Sequence, residues 1–498
     1  MISENNLIKL VLGFKVKYLR HKQGLSYQQL SEKTGLSTSY LHDIEKGKKY
    51  PKVDKINQLA QALEVSYDFM VSPRASRKLQ PVIDFLTSDF IKEFPLEMFG
   101  ISPEKLFELF ANTPDKVTAF INTVIKITRN YQMRGEQLYQ AALRSYQNMY
   151  HNYFGELEKK VKEFRVEFGM SAEFPVPSTQ LETLLKTGFG ITTDWERMAK
   201  VEALQKKRSY FSPAKKTLFI NRGLTSAQQN FLIGRELGFQ YLKLQERPLL
   251  TRISEISSFE KLLNNFKASY FSVALLMEEN LLAEDIRQLA QQTSWHPQLL
   301  LNLIDRYNVT PEMLMQRMTN ILPHHLDIQD LFFIRFREGA DPQHFDMTKE
   351  LHLAQPHDPY ANKLNEHYCR RWVSVDILKK WNAIPTEQQT SLSIAEAQVS
   401  AYHHTPNKYL CLSIAKQDHA TNSRPASVTV GMLLNEQVHQ TFRFLSDPDL
   451  PTKIVGTTCE RCSLPDCKER AAEPVIIQKE HQLELEKEGI QRLESEKD

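Results

Sequence analysis

SYQQLSEKTGLSTSYLHDIEKGKK, residues 26–49, is the stretch whose reading decides the fold of the N-terminal end. Ser26 is a good N-cap for a helix holding Leu30, and Gly35 makes a tight turn. Ser37 caps the next helix, which turns Leu41 and Ile44 inward, and Gly47 ends it. Upstream, Ile8, Leu12, Val16 and Leu19 recur at helical spacing and stop at the Gln23-Gly24 turn. Downstream, a further helix runs from about Val53 to Leu63. Short helices closing on one apolar core are therefore expected.

This end is also basic. Residues 1–80 carry 14 Lys/Arg against 7 Asp/Glu, a net of +7, while the whole chain is +3 and the remainder therefore sums to −4. A basic end on a near-neutral body suggests a polyanion for that end alone. The pattern Gln28-Gln29-Leu30, Gly35-Leu36-Ser37 and Leu41 to Gly47 resembles the helix-turn-helix of the lambda-repressor-like XRE family. The alternative is a small bundle with a solvated basic face. The resemblance implies that the third helix enters the major groove of double-stranded DNA, with Ser37, Thr38, Ser39, Tyr40 and His42 at or near base edges. Gln28, Gln29, Lys46, Lys48 and Lys49 would then stand at phosphates. It also implies a homodimer or higher homo-oligomer on a palindromic operator.

At roughly 100–200 residues per domain, 498 residues imply two to four domains. The 41% hydrophobic, 25% charged and 10% aromatic content excludes a largely disordered or fibrous chain. No apolar run is long enough for a membrane span, and charges interrupt the apolar part of the start, so a cytoplasmic chain is expected. The expected fold is multidomain: an all-α DNA-binding domain (1–72), a linker and long helical region (73–170), a degenerate peptidase-like region (171–322), an α+β sensor domain with a cysteine metal site (323–475), and a charged tail (476–498). Pro73, Pro81, Pro95 and Pro103 punctuate the linker. Leu106, Phe110, Val117, Val124 and Phe154 fall at helical spacing beyond it, as a dimerisation bundle or an intramolecular scaffold.

KKTLFINRGLTSAQQNFLIGRELGFQYL, residues 215–242, reads as strand, loop and helix. It resembles the ImmA/IrrE metallopeptidase region, where a helix carries His-Glu-x-x-His: two imidazoles one turn apart hold zinc and the Glu acts as base. Here Arg235 and Phe239 stand in place of both His, and Lys267 occupies the downstream ligand position; only Glu236 survives. Arg stays protonated and Phe has no lone pair, so no enzyme is expected. A DNA-targeted metallopeptidase is the reading this argues against. Beyond it, Asn308, then Thr310 capping before Pro311, joins two packed helices.

Alternation in IQDLFFIRF, QVSAYHHTPNKYLCLSIAK, ASVTVGMLL and HQTFRFL predicts strands of an antiparallel sheet. The region closes with Cys459-x2-Cys462-x4-Cys467. Five cysteines in 498 residues are too few for a disulfide scaffold, and a C-x2-C pair with a third thiol suits one metal. For the fourth place Cys369 is favoured, its neighbours Arg370 and Arg371 being expected to lower its pKa, with His367 as fallback. Cys411, alternating with apolar neighbours, reads as core.

The layout as a whole resembles the short-chain fatty acyl transcriptional regulators (ScfR family), through Cys369-Arg370-Arg371-Trp372 and the segment from Cys459 to Pro474. That resemblance implies a regulator answering to an acyl-CoA and bearing an iron–sulfur cluster ([4Fe-4S]); spacing alone suits zinc equally. Met432 departs from the family, standing where members often show Cys. Arg335, Arg337, Arg370 and Arg371, with Lys349, are candidates for the acyl-CoA phosphates. A metal or redox sensor without an acyl-CoA ligand is the alternative.

Overall fold

Capping chemistry places the first helices. The computed structural model describes residues 4–72, 135–171, 173–250, 258–339, 344–353, 366–389, 392–403, 405–418 and 424–495. The chain divides into two compact units, residues 1–146 with 253–263, and residues 147–252 with 264–498. In the first, α1 (Glu4–Lys22), α2 (Tyr27–Thr34), α3 (Thr38–Glu45), α4 (Val53–Ala62) and α5 (Tyr67–Val71) follow in order. Ser26 forms a complete capping box with Gln29, and Ser37 accepts from the Tyr40 amide. Gly35 takes φ 69° and Gly47 φ 65°, the left-handed region that glycine enters without cost. Leu12, Val16, Leu19, Leu30, Leu36, Leu41, Ile44, Ile56 and Leu59 form the core. Ile8 departs from expectation: it is 48% exposed, because the core begins one turn later, at Leu12. The expected linker and most of the expected dimerisation helices, residues 73–134, lie outside the described residues.

Beyond them run α6 (Gly135–Met149), α7 (Gly155–Glu167) and α8 (Ser178–Phe189). A small sheet, ordered β1 (Thr192–Asp194), β3 (Thr217–Ile220), β2 (Ser209–Ser212), precedes α9 (Ser226–Tyr241). Then come α10 (Phe259–Leu276), α11 (Glu279–Ala290), α12 (Pro297–Tyr307) and α13 (Pro311–His325). Asn308 is left-handed at φ 46°, and Thr310 caps α13 with Pro311 in its first turn. Glycine lets α9 and α10 cross closely: a Cβ on Gly234 would meet Ser272 Oγ at 2.6 Å, and one on Gly238 would meet Phe271 Cβ at 3.1 Å.

The C-terminal sheet has the order β5 (Phe345–His352), β4 (Leu331–Glu338), β8 (Arg424–Leu433), β7 (Lys408–Asp418), β6 (Ser393–Tyr402), β9 (Thr452–Val455). All pairs are antiparallel except β6 with β9. On one face, Phe332, Ile334, Phe336, Tyr409 and Cys411 pack with Val373, Ile377 and Trp381 from α14 (Val373–Asn382). α13 lies against β4, β7 and β8, and α12 against β6. The segment HQTFRFL is not a strand. Asn435 caps α15 (Glu436–Thr441), and a 3-10 turn covers Arg443–Ser446. Phe442 and Phe444, both fully buried, alternate at the junction and so imitate a strand period. The charged tail forms a helix, α16 (Val475–Ser495), whose side chains are mostly exposed.

One carboxylate of the large unit carries a pH dependence. Burial would raise the pKa of Glu279, but hydrogen bonds from His325, Lys162 and Tyr153 hold it down, to about 2. Its folded pKa lies below its unfolded value of 4.5, so its contribution to stability is complete above pH ~4.5 and is lost as pH falls towards ~2. Urea melts of the wild type should lose stability across that window, and Glu279→Gln should show a shallower acid slope.

Candidate functional site

The candidate DNA-contacting residues lie on α2, on α3 and in the loop that follows it. Thr38, Ser39, Gln28, Gln29, Ser37, Lys46, Lys48 and Lys49 are exposed, while Tyr40 and His42 are half-buried. Two have local duties: the Gln29 carboxamide accepts from the Ser26 amide at 2.8 Å, and the Ser37 hydroxyl caps α3. Lys49 pairs with Asp43 at 3.2 Å and lies 5.6 Å from the Tyr40 ring centroid. Behind this face α3 is locked to the bundle. Buried Glu45 accepts from Arg20 Nε at 2.6 Å and Nη2 at 3.0 Å, and from the Tyr27 hydroxyl at 2.6 Å. A short helix with its first turn bare and its base fixed by an ion pair can lie in a groove without deforming.

Four cysteines from two distant segments line one small cavity of about 10 Å³: Cys369, Cys459, Cys462 and Cys467. Backbone pairing brings the segments together. Cys369 N donates to Thr457 O at 3.1 Å and Cys459 N to His367 O at 2.8 Å, around a Tyr368–Thr458 bridge. The Gly456 amide donates to Cys369 Sγ at 3.4 Å and the Ala471 amide to Cys459 Sγ at 3.3 Å, the kind of N–H···S contact that steadies a thiolate ligand. Gly456 is needed here, since a Cβ would stand 2.9 Å from Cys462 Sγ. The Arg470 guanidinium ties the loop from within, donating to the carbonyls of Cys459, Cys462 and Leu464. The sulfurs gather without closing on one point: among the described residues no group of three or more His, Cys, Asp or Glu side chains forms a metal cage. Cys369, Cys459, Cys462 and Cys467 are the thiols that would hold a metal group here.

Two expectations at this centre change. His367 lies outside the cavity lining and gives its Nδ1 to Glu460 at 2.7 Å. Burial pushes the Cys369 thiol up, to about 11, rather than the arginines bringing it down. Arg370 lies over Phe345, 4.6 Å from its centroid. Cys411 stays in the core, its pKa pushed up by burial to about 12.

In the peptidase-like helix an arginine occupies the carboxylate. Arg247 Nη1 donates to Glu236 Oε1 at 2.7 Å and its Nη2 to Oε2, so the pair is bidentate. The guanidinium stacks between Phe211 and Phe239, at 4.4 and 4.0 Å from the ring centroids. Phe239 thus replaces an imidazole and holds a cation in place. Half-buried Arg235 has its pKa lowered by desolvation to about 10, which still leaves it protonated at neutral pH. Lys267 is half-buried on α10. These residues do not fit a catalytic zinc.

The effector candidates separate. Arg335 and Lys349 line a cavity of about 560 Å³; Arg370 and Arg371 line the cysteine cavity; Arg337 lines neither. The larger cavity lies within the large unit, between the first turns of α9 and α13 and one face of the C-terminal sheet. Sequence reasoning missed Arg208, Glu312 and Lys416 in this lining, Arg470 in the cysteine loop, and Arg247. The loss of both imidazoles was the one signal for Arg247, since an orphaned buried Glu demands a cation.

Residues 16–70 match the helix-turn-helix family, and residues 197–319 the IrrE N-terminal-like domain family. An uncharacterized HTH-type transcriptional regulator of Sinorhizobium fredii is 33% identical over 66 residues, 13% of this chain and 86% of that protein. An uncharacterized HTH-type transcriptional regulator of Mycobacterium tuberculosis is 34% identical over 58 residues, 12% of this chain; the chain spans only 41% of that relative's length. A solved transcriptional regulator of Mycobacterium tuberculosis is similar at a TM-score of 0.47 and 17% identity, over 66% of this chain and 92% of that one. Among the described residues no helix is long and apolar enough to cross a membrane.

Proposed function

The chain belongs to the HTH-type transcriptional regulators, and we propose that it is an effector-responsive, metal-bearing member of them. It binds DNA through its helix-turn-helix. As a homodimer in the cytoplasm it reads a palindromic operator with α3. A short-chain acyl-CoA binds in the large unit and changes operator affinity, which requires unequal affinity for two arrangements of the protein. Cys369, Cys459, Cys462 and Cys467 hold an iron–sulfur cluster or zinc. The observation that carries the metal is the convergence of Cys369 with three cysteines about ninety residues further along, in one cavity. The IrrE-like domain serves as scaffold rather than peptidase, because Arg247 neutralises Glu236, the one surviving member of the motif.

The test is the iron, sulfide and zinc content of anaerobically purified protein, with its visible spectrum. About four irons per chain and absorption near ~400 nm identify a cluster; one zinc without colour identifies a structural staple. Cys462→Ser should lose the metal under either outcome, and Cys411→Ser should keep it. A folded wild-type chain free of both metals overturns the assignment.

A further inference from the structure

The 560 Å³ cavity has the size of a small-molecule site, for which roughly 300–1,000 Å³ is usual. Its lining is unevenly charged. Among the lining residues Arg208, Arg335, Lys349 and Lys416 stand against Asp305 and Glu312, a net of two positive charges. The first turns of α9 and α13 also border it, and helix N-termini add partial positive charge. Phe231, Leu232, Ile304, Val309, Met313 and Val428 supply an apolar wall.

Glu312, in the first turn of α13, is bound inside this cationic group. Its carboxylate accepts from Lys349 Nζ and stands 3.3 Å from Arg335 Nε. Arg335 and Lys349 are cross-strand partners on β4 and β5, and Arg335 Nη1 also donates to Thr348 Oγ1 at 2.7 Å. Burial alone would raise the pKa of Glu312, yet Lys349, Arg335 and Arg208 hold it at about 2. The carboxylate therefore occupies, as a fixed anion, the place where a soluble anion would find its strongest partners.

We propose that this cavity binds an organic anion, phosphate- or carboxylate-bearing with an apolar portion, and that Glu312 is its internal counter-anion, displaced when the ligand's charge takes over Arg335 and Lys349. The proposal rests on the effector reading above and adds the site and its switch. In the free protein, Glu312 couples the start of α13 to β4 and β5; in the bound protein that coupling is broken and the ligand joins the strands instead. The ligand thus makes contacts that differ between two arrangements, which is the condition for shifting an equilibrium.

The experiment is calorimetric titration of the full chain with propionyl-CoA and with inorganic pyrophosphate, for wild type, Glu312→Gln and Lys349→Met, with thermal melts establishing that each is folded. Glu312→Gln should bind both probes about tenfold more tightly and Lys349→Met about tenfold more weakly. Lys416→Met, outside the Glu312 pair, should also bind more weakly. A merely structural ion pair would move Glu312→Gln and Lys349→Met in the same direction, which overturns the counter-anion. If propionyl-CoA binds equally to all variants, the site lies elsewhere and only the effector reading stands. If pyrophosphate shows the expected order while propionyl-CoA does not bind, the anion site stands and the acyl-CoA reading falls. If neither probe binds any of the proteins, both fall.

Discussion

Glu45→Ala is expected to melt the N-terminal helices while leaving the large unit folded. Glu45 is 2% exposed and Arg20 6%. The carboxylate satisfies two Arg20 nitrogens and the Tyr27 hydroxyl at once. Removing it leaves a guanidinium in the core, with the Leu25 carbonyl and the His21 ring as its remaining hydrogen-bond partners. Breaking a buried pair in this way costs about 3–5 kcal/mol. Small domains hold only ~5 kcal/mol or slightly more, because little of their surface is buried. The lower of two calorimetric transitions should therefore disappear, and DNA binding with it. Glu45→Leu with Arg20→Leu should recover much of the loss, since no charge is then stranded. A change below about 1 kcal/mol in Glu45→Ala would show that α3 is not held by this pair.

Glu158→Ala should do to the large unit what Glu45→Ala does to the small one. Arg317 is fully buried and Glu158 is 4% exposed. Glu158 accepts from Arg317 Nη1 at 2.5 Å and Nη2 at 3.0 Å, and from the Tyr270 hydroxyl at 2.5 Å. One carboxylate thus joins α7, α10 and α13, elements far apart in sequence. After truncation Arg317 keeps the Met277 carbonyl, at 3.2 Å, while its charge is unpaired. About 3–5 kcal/mol is again expected, read as a lowered urea midpoint for the large unit with the N-terminal transition unmoved. Glu158→Gln, which keeps an acceptor without the charge, should fall between. Equal stability of Glu158→Ala and wild type would mean that water reaches Arg317 and that the core around it is looser than the packing indicates.

What could be read in advance was local chemistry. Ser26, Gly35 and Ser37 announce helix boundaries within a few residues, because caps and left-handed turns depend on neighbouring backbone alone. Asn308 and Thr310 did the same before α13. Counting thiols pointed to Cys369, which lines one cavity with Cys459, Cys462 and Cys467. What escaped depends on long-range register. Arg335 and Lys349 become partners through the β4–β5 pairing, and Arg208, Glu312 and Lys416 join them from three other parts of the chain. Arg247 meets Glu236 across a turn whose path no periodicity reveals. The cationic sequence around Cys369 misled because desolvation outweighs its neighbours: Arg370 and Arg371 line the same cavity, yet burial dominates the thiol. In HQTFRFL, alternate burial of Phe442 and Phe444 arose from a helix end and a 3-10 turn rather than from a sheet.

The reading of duplex DNA by α3 is tested by capture of genomic fragments. Sheared genomic DNA of the source organism is passed over the immobilised full-length chain at physiological salt, and the retained fragments are sequenced, for wild type and for Ser39→Asp. Aspartate in the first turn suits the helix dipole of α3, so the fold is kept, while its charge opposes phosphates and base-edge acceptors. If α3 reads DNA, a small set of fragments sharing a two-fold symmetric site should be retained by wild type and lost by Ser39→Asp. Retention without a shared site, or the same enriched set held equally by both proteins, would contradict it.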